Sequence, residues 1–233
     1  MKTYFKFIVF ALWLMISCSE QVDIEGGNPC DEITTSLYQE QDGLLIIELE
    51  NGNLPEGWEV RSELSNYLGN SYIQWQGNSF MQKPGPGIIS YKIQINKAGT
   101  YRIQIRNYIA EGTSSTDHND VWLRMPDAHD YYGDKKGHFV YPKGSGKSPN
   151  PKGTSVDGWF KIYNNTRDKW SWGSKTSDHD AHNIYTTFDT PGIYTVELSG
   201  RSTGFAIDRI ALYNENETSG TDDSLAPSTI NCQ

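Results

Sequence analysis

From Leu44 onward, apolar residues recur at every second position, the period of a strand with one buried face. The runs are rich in Ile, Val, Tyr, Trp and Thr. This pattern predicts strands over residues 44–50, 71–76, 88–96, 100–108, 121–125, 159–163, 183–188, 193–198 and 205–213, and no amphipathic helix. Ala98-Gly99 and Pro191-Gly192 punctuate two pairs of alternating runs and predict hairpins. The two spots echo each other, since Gly99-Thr100-Tyr101 leads into Ile103, Ile105 and Arg106 much as Gly192-Ile193-Tyr194 leads into Val196, Leu198 and Arg201. Many strands, Gly and Pro turns and no helix point to an all-β fold, an antiparallel β-sandwich of the jelly-roll kind.

Three stretches lack periodicity: residues 20–36, a polar tether; residues 126–157, a long loop rich in Gly, Pro, Lys and Asp; and residues 214–231, an acidic tail. Long loops in compact domains are more often functional than not. The chain therefore divides into a leader (1–17), a tether (18–43), one β-sandwich (44–213) and a polar tail (214–233).

The leader carries Lys2 and Lys6, an apolar run from Phe7 to Ile16 and a small residue before Cys18, the layout of an export signal. The run is too short for a bilayer span of roughly 20 residues. Leu14-Met15-Ile16-Ser17-Cys18 resembles a bacterial lipobox, which makes Cys18 the expected lipidation site and the outer membrane, surface-facing in view of Glu20, Val22 and Asp23, the expected location. Without lipidation the chain is secreted. Export also permits a disulfide between Cys30 and Cys232 at opposite ends of the mature chain. Closing so long a loop contributes on the order of 4 kcal/mol in the chain-entropy model.

Loss of Lys2 and Lys6 moves the net charge from −9 to −11, which argues against a nucleic-acid partner. Against that balance, Lys135, Lys136, His138, Lys143, Lys147 and Lys152 crowd the long loop. They read either as a solvated loop or as a contact for a sulfated or uronic polysaccharide.

Glu48 and Glu50 stand two apart on the first predicted strand, and Asp208 sits inside the apolar run of the last one. First and last strands often lie side by side, and a hard cation such as calcium would satisfy three carboxylates there. The same acids read equally as solvent-facing or paired with Arg209. Asn164, Asn165, Arg167, Asp168, Trp170 and Trp172 mix the aromatic and polar groups that suit a pyranose, whose apolar face stacks on a ring while its hydroxyls seek partners. Asp117-His118-Asn119-Asp120 and Asp178-His179-Asp180-Ala181-His182 lack zinc spacing. There is no Gly-x-Ser-x-Gly elbow, and Gly146-Lys147-Ser148 lacks the upstream glycine of a phosphate loop.

Ile47-Glu48-Leu49-Glu50, Gly69 to Trp75, Ala98-Gly99-Thr100-Tyr101 through Arg106, Asn119-Asp120-Val121-Trp122, Trp170-Ser171-Trp172 and Ile207-Asp208-Arg209-Ile210 together resemble the family 6 and family 35 carbohydrate-binding modules and their malectin-like relatives. The resemblance covers nearly all of residues 44–213. It implies a jelly roll with a structural calcium at Glu48, Glu50 and Asp208. It also implies a glycan site among loop aromatics at one end, matching or adjoining Trp170, Trp172, Trp159 and Arg201. Ala206 stands where relatives often place a sugar-contacting Asn, which passes that work to Asn183, Arg201 or Asn119. The expectation is a non-catalytic surface lipoprotein that binds a polysaccharide, with glycan-degrading enzymes as partners. The alternatives are a lyase or hydrolase using His118, His182 or a carboxylate pair as base, and an adhesive surface protein.

Overall fold

The computed structural model describes residue 30, residues 36–151 and residues 153–232. The leader and Cys18 lie outside the described residues. Those described form strands, loops and one short 3-10 turn, Leu49–Asn51, with no α-helix among them.

The strands are arranged as two facing layers. In the first, β1 (Ser36–Gln39) lies between β17 (Ile230–Cys232) and β5 (Ile89–Ile95). β15 (Gly192–Ser199), β7 (Asp120–Arg124), β11 (Trp159–Tyr163) and β10 (Ser155–Val156) follow, all antiparallel. The second layer is built on β16 (Phe205–Tyr213). One of its edges takes β2 (Leu44–Glu48) and then β4 (Tyr72–Trp75), with β3 (Trp58–Arg61) outside β4. The other edge takes β6 (Gly99–Ile109), followed by β14 (His182–Phe188), β8 (Asp130–Lys135) and β9 (His138–Val140). β12 (Ser171–Trp172) extends the pairing of β6, and β13 (Lys175–Thr176) bonds to both β11 and β14, tying the layers together. This is the all-β sandwich of jelly-roll type that the alternation predicts.

The period-two pattern explains the core. Ile89, Tyr91, Ile93 and Ile95 face Tyr101, Ile103, Ile105, Ile184 and Phe188 across the layers, all buried. Their alternates, Arg102, Asn183 and Tyr185 among them, point to the outer faces, where they are only half-buried.

Three expectations change. Ala98-Gly99 and Pro191-Gly192 are not hairpins. β5 and β15 pair with each other in the first layer and β6 and β14 in the second, so each turn carries the chain from one layer to the other. Both flanking strands bury aliphatic rows, and crossing the core lets both rows share it. The long loop contains β8, β9 and β10. Its signal was hidden because β8 alternates between one buried ring, Tyr131, and polar or half-buried residues. The tether and tail are also partly structured. Ser36–Gln39 pairs with β5 and Ile230–Cys232 pairs with it in turn, beside the Cys30–Cys232 disulfide. The tail is held further back along its length, where Ser228 Oγ accepts from the Ile46 N–H and the Ser228 N–H donates to the Ile46 carbonyl.

Candidate functional site

The acidic cluster sits at an irregularity in the second layer. The β16–β6 register shifts between Ile207 and Arg209, which leaves Asp208 as the extra residue, fully buried. Beyond the shift Arg209 stands opposite both Glu48 and Arg106. Two guanidiniums side by side need anions, and they take them: Glu48 pairs with Arg209, and Asp208 accepts from Arg106 Nη1 at 2.5 Å and from the Leu68 N–H at 2.9 Å. The outer side of Arg106 holds Asp223 at 2.9 Å.

β2 ends at Glu48, so Glu50 follows it in the 3-10 turn rather than two places along a strand. Glu50 is buried nonetheless. Burial first, then the charge of Glu48, pushes its carboxyl up to about 8, and burial lifts Asp208 to about 6. One oxygen of each acid, Glu48 Oε2, Glu50 Oε2 and Asp208 Oδ1, is buried without a hydrogen-bond partner. These donors suit calcium in kind. Among the described residues no set of three His, Cys, Asp or Glu side chains already stands in ion-holding geometry, so an ion here would require these carboxylates to shift.

The residues expected to touch sugar are dispersed. Trp170 is 8% exposed, wedged between Tyr72 and Tyr108 at 5.1 and 5.4 Å, and donates its indole N–H to the Ser65 carbonyl. Trp159 is 3% exposed beneath the Arg124 guanidinium, 4.4 Å from its ring. Both act as packing residues. Arg201 and Asn119 meet at one end of the sandwich, where Arg201 is buried in an ion pair with Asp120 and Asn119 donates to Asn165 Oδ1 at 2.7 Å. A groove of about 610 Å³ opens there beside Arg201, Met81 and Asn150, but Trp122, its aromatic, is fully buried. The candidate bases are also committed to structure: His118 Nδ1 lies 2.5 Å from the Thr203 carbonyl, and His182 is 2% exposed.

Trp172 and Asn183 instead belong to a different surface, the outer face of the second layer. Trp172 is half-buried against Ile46, Ala211 and Tyr213, with its indole N–H on Asp223 at 2.8 Å. Along the same face the register aligns Tyr213, Arg102, Tyr185 and Tyr132 in one cross-strand row. Tyr132 and Tyr185 are parallel within 19° at 5.8 Å, and Phe139 and Tyr141 extend the group at 5.4 and 6.3 Å from Tyr132. Phe139 is 45% exposed. Arg102 and the Tyr185 hydroxyl converge on Glu215, at 2.5 and 2.8 Å. Burial and that carboxylate push the Tyr185 hydroxyl up to about 12. A depression of about 250 Å³ lies between Tyr132, Tyr185, Arg102, Thr100 and Glu215. Of the residues expected to touch sugar, Trp172 and Asn183 reach this face. The alternation Asn183, Tyr185, Thr187 was the signal that could have located it.

Fold and face define the class: a jelly-roll sandwich whose second layer presents aromatic rings with charged and hydroxyl partners to solvent. No family model and no curated protein matches the chain. Among solved structures it is similar to a GH26-CBM35 β-(1,4)-mannanase of Podospora anserina, at 14% identity and a TM-score of 0.43, covering 78% of this chain and 29% of that one. It is similar also to a CBM35 from Cellvibrio japonicus, at 12% identity and 0.41, covering 76% and 98%. A third is the C-terminal CBM6 of a marine laminarinase from Zobellia galactanivorans, at 17% identity and 0.33, covering 73% and 99%. The chain thus spans less than a third of the mannanase.

Proposed function

We propose that the chain is a non-catalytic polysaccharide-binding module whose glycan lies across the outer face of the second layer. The observation that carries this reading is the row Arg102, Tyr185 and Tyr132, continued by Phe139 and Tyr141. Half-exposed rings offer apolar surface to a pyranose face, while Arg102, Asn183 and Thr187 supply hydrogen-bond partners for hydroxyls. Ordinary strand patterning would place short polar side chains at these outward positions, since exposed rings contribute little to the core.

Affinity electrophoresis of the exported protein through gels containing plant, algal and host polysaccharides tests the proposal. Retardation by a glycan that is abolished in Tyr185→Ala and Tyr132→Ala, and retained in an Arg61→Ala control, supports it. Retardation that survives both Tyr substitutions moves the site elsewhere. Turnover of the retarding glycan would make the protein an enzyme, and no retardation by any glycan would favour an adhesive role.

In the same proposal, Cys18 is lipidated and holds the module at the outer membrane, at the cell surface, beside glycan-degrading enzymes supplied by other chains. Cys18→Ser should release the protein from the membrane fraction and abolish labelling by radioactive palmitate. Calcium is proposed as a structural ion at Glu48, Glu50 and Asp208. It is supported by the three unpartnered oxygens and by a buried charge balance of three carboxylates against two guanidiniums.

A further inference from the structure

The β8–β9 hairpin turns at Lys136-Gly137, both at positive φ (54° and 86°), the geometry in which Asn-Gly or Asp-Gly is the unstrained choice. Lysine there is costly for the backbone and does nothing for the core, being fully on the surface. What it does is set a cation at the tip of the hairpin, next to Lys135.

Beneath the tip runs a groove of about 860 Å³ between the hairpin and the segment 141–149. Lys135, Lys136 and His138, the rings of Phe139 and Tyr141, and Asp180 and His182 line it. Lys135 is paired with Asp180, and among the described residues no ion pair engages Lys136. Lys147, paired with Asp130, holds its ammonium 5.5 Å from the centre of the Tyr141 ring but lines a neighbouring depression. Phe139 packs edge-on against Tyr132, so the groove is continuous with the aromatic face. On a chain of net charge −9, the groove lining sets two lysines and two histidines against one aspartate, beside the exposed Phe139 ring.

We propose that this groove takes a negatively charged unit of the bound glycan, a carboxylated or sulfated pyranose. Phe139 meets the ring, and Lys136, with Lys135 alongside, meets the anion. The inference rests on the polysaccharide-binding reading above and extends the same surface. A neutral glycan needs rings and hydroxyl partners but gains nothing from the Lys136 ammonium. An anionic one is drawn by it at long range and held at contact.

The test is affinity electrophoresis and calorimetry of the exported chain with polygalacturonate and alginate as carboxylated probes, chondroitin sulfate and carrageenan as sulfated ones, and laminarin and galactan as neutral ones. The expected result is preference for an acidic probe. Its Kd should rise roughly tenfold between low salt and a few hundred millimolar salt as charges are screened, and about tenfold again in Lys136→Glu. Phe139→Ala should also weaken it. The carboxylated and sulfated arms identify the anion. Binding confined to a neutral glycan, insensitive to salt and unchanged in Lys136→Glu but lost in Tyr185→Ala, overturns the anionic assignment and leaves the polysaccharide reading standing. Failure to bind any of the six probes, with the fold verified by circular dichroism, counts against both.

Discussion

Glu50→Gln probes the charge balance at the β16 irregularity. Glu50 is 6% exposed, and burial followed by the neighbouring charge of Glu48 lifts its carboxyl from 4.5 to about 8. Because the folded value lies above the unfolded one, the folded protein keeps a proton that the unfolded chain gives up. The resulting stability is complete below about pH 4.5 and is lost as the pH rises through about 8. At about 1.4 kcal/mol per unit, the loss across this window is at most about 5 kcal/mol, an upper bound because the cluster can relax as it charges. Asp208, raised to about 6, adds in the same direction over the lower part of the range. Glutamine keeps the shape and cannot ionise. Glu50→Gln should therefore match the wild type near the acid end of the window and exceed it near the alkaline end by several kcal/mol. Urea denaturation in chelator at a series of pH values measures both. If the two proteins lose stability in parallel as pH rises, the buried-carboxyl reasoning is wrong. Added calcium gives an independent arm. An ion at this cluster would replace the proton, so the wild type would gain stability from millimolar calcium at alkaline pH and Glu50→Gln would not. A melting temperature indifferent to both calcium and chelator removes the proposed ion.

Trp170→Ala should cost about 3–5 kcal/mol in chemical denaturation, since the ring fills the space between Tyr72 and Tyr108, whereas Tyr185→Ala on the outer face should change stability by about 1 kcal/mol or less. Equal effects would contradict the division between core and site. Asp120→Ala leaves the Arg201 guanidinium buried without its carboxylate and should lower stability by about 3–5 kcal/mol, read by thermal unfolding. Reducing the Cys30–Cys232 bridge, 202 residues apart, should lower stability by up to about 5 kcal/mol in the chain-entropy model and loosen the pairing of β17 with β1. Unchanged amide exchange in residues 36–39 after reduction would show that the bridge does not hold that edge.

Much of the architecture was legible because burial on one face of a strand imposes a period of two that survives in the sequence without any knowledge of neighbours. Rows such as Ile89, Tyr91, Ile93, Ile95 and Ile103, Ile105 declare themselves, and β2 lies beside β16 as the first-to-last reasoning expected. The connections did not declare themselves. A Gly-containing turn between two amphipathic strands looks the same whether the strands pair with each other or face each other across a core. Only the partners, β15 for β5 and β14 for β6, decide it.

The site divides in the same way. That the chain carries rings, amides and cations suited to a sugar is a matter of composition and was visible in the sequence. Which rings are free to meet one was not, because tryptophan serves equally as core filler and as a stacking platform. Trp170 and Trp159 lost their exposure to Tyr72, Tyr108 and Arg124, none of them close to them in sequence. Likewise Glu48, Glu50 and Asp208 were recognisable as acids needing partners, while the facing of Arg209 with Arg106 supplied partners to Glu48 and Asp208. The sequence determines which groups must be buried or compensated. The tertiary structure decides who does the burying and compensating, because folding brings together residues far apart in the chain, such as Arg106 with Asn66, 40 positions apart, and Ile46 with Ser228, 182 apart, which no local pattern encodes.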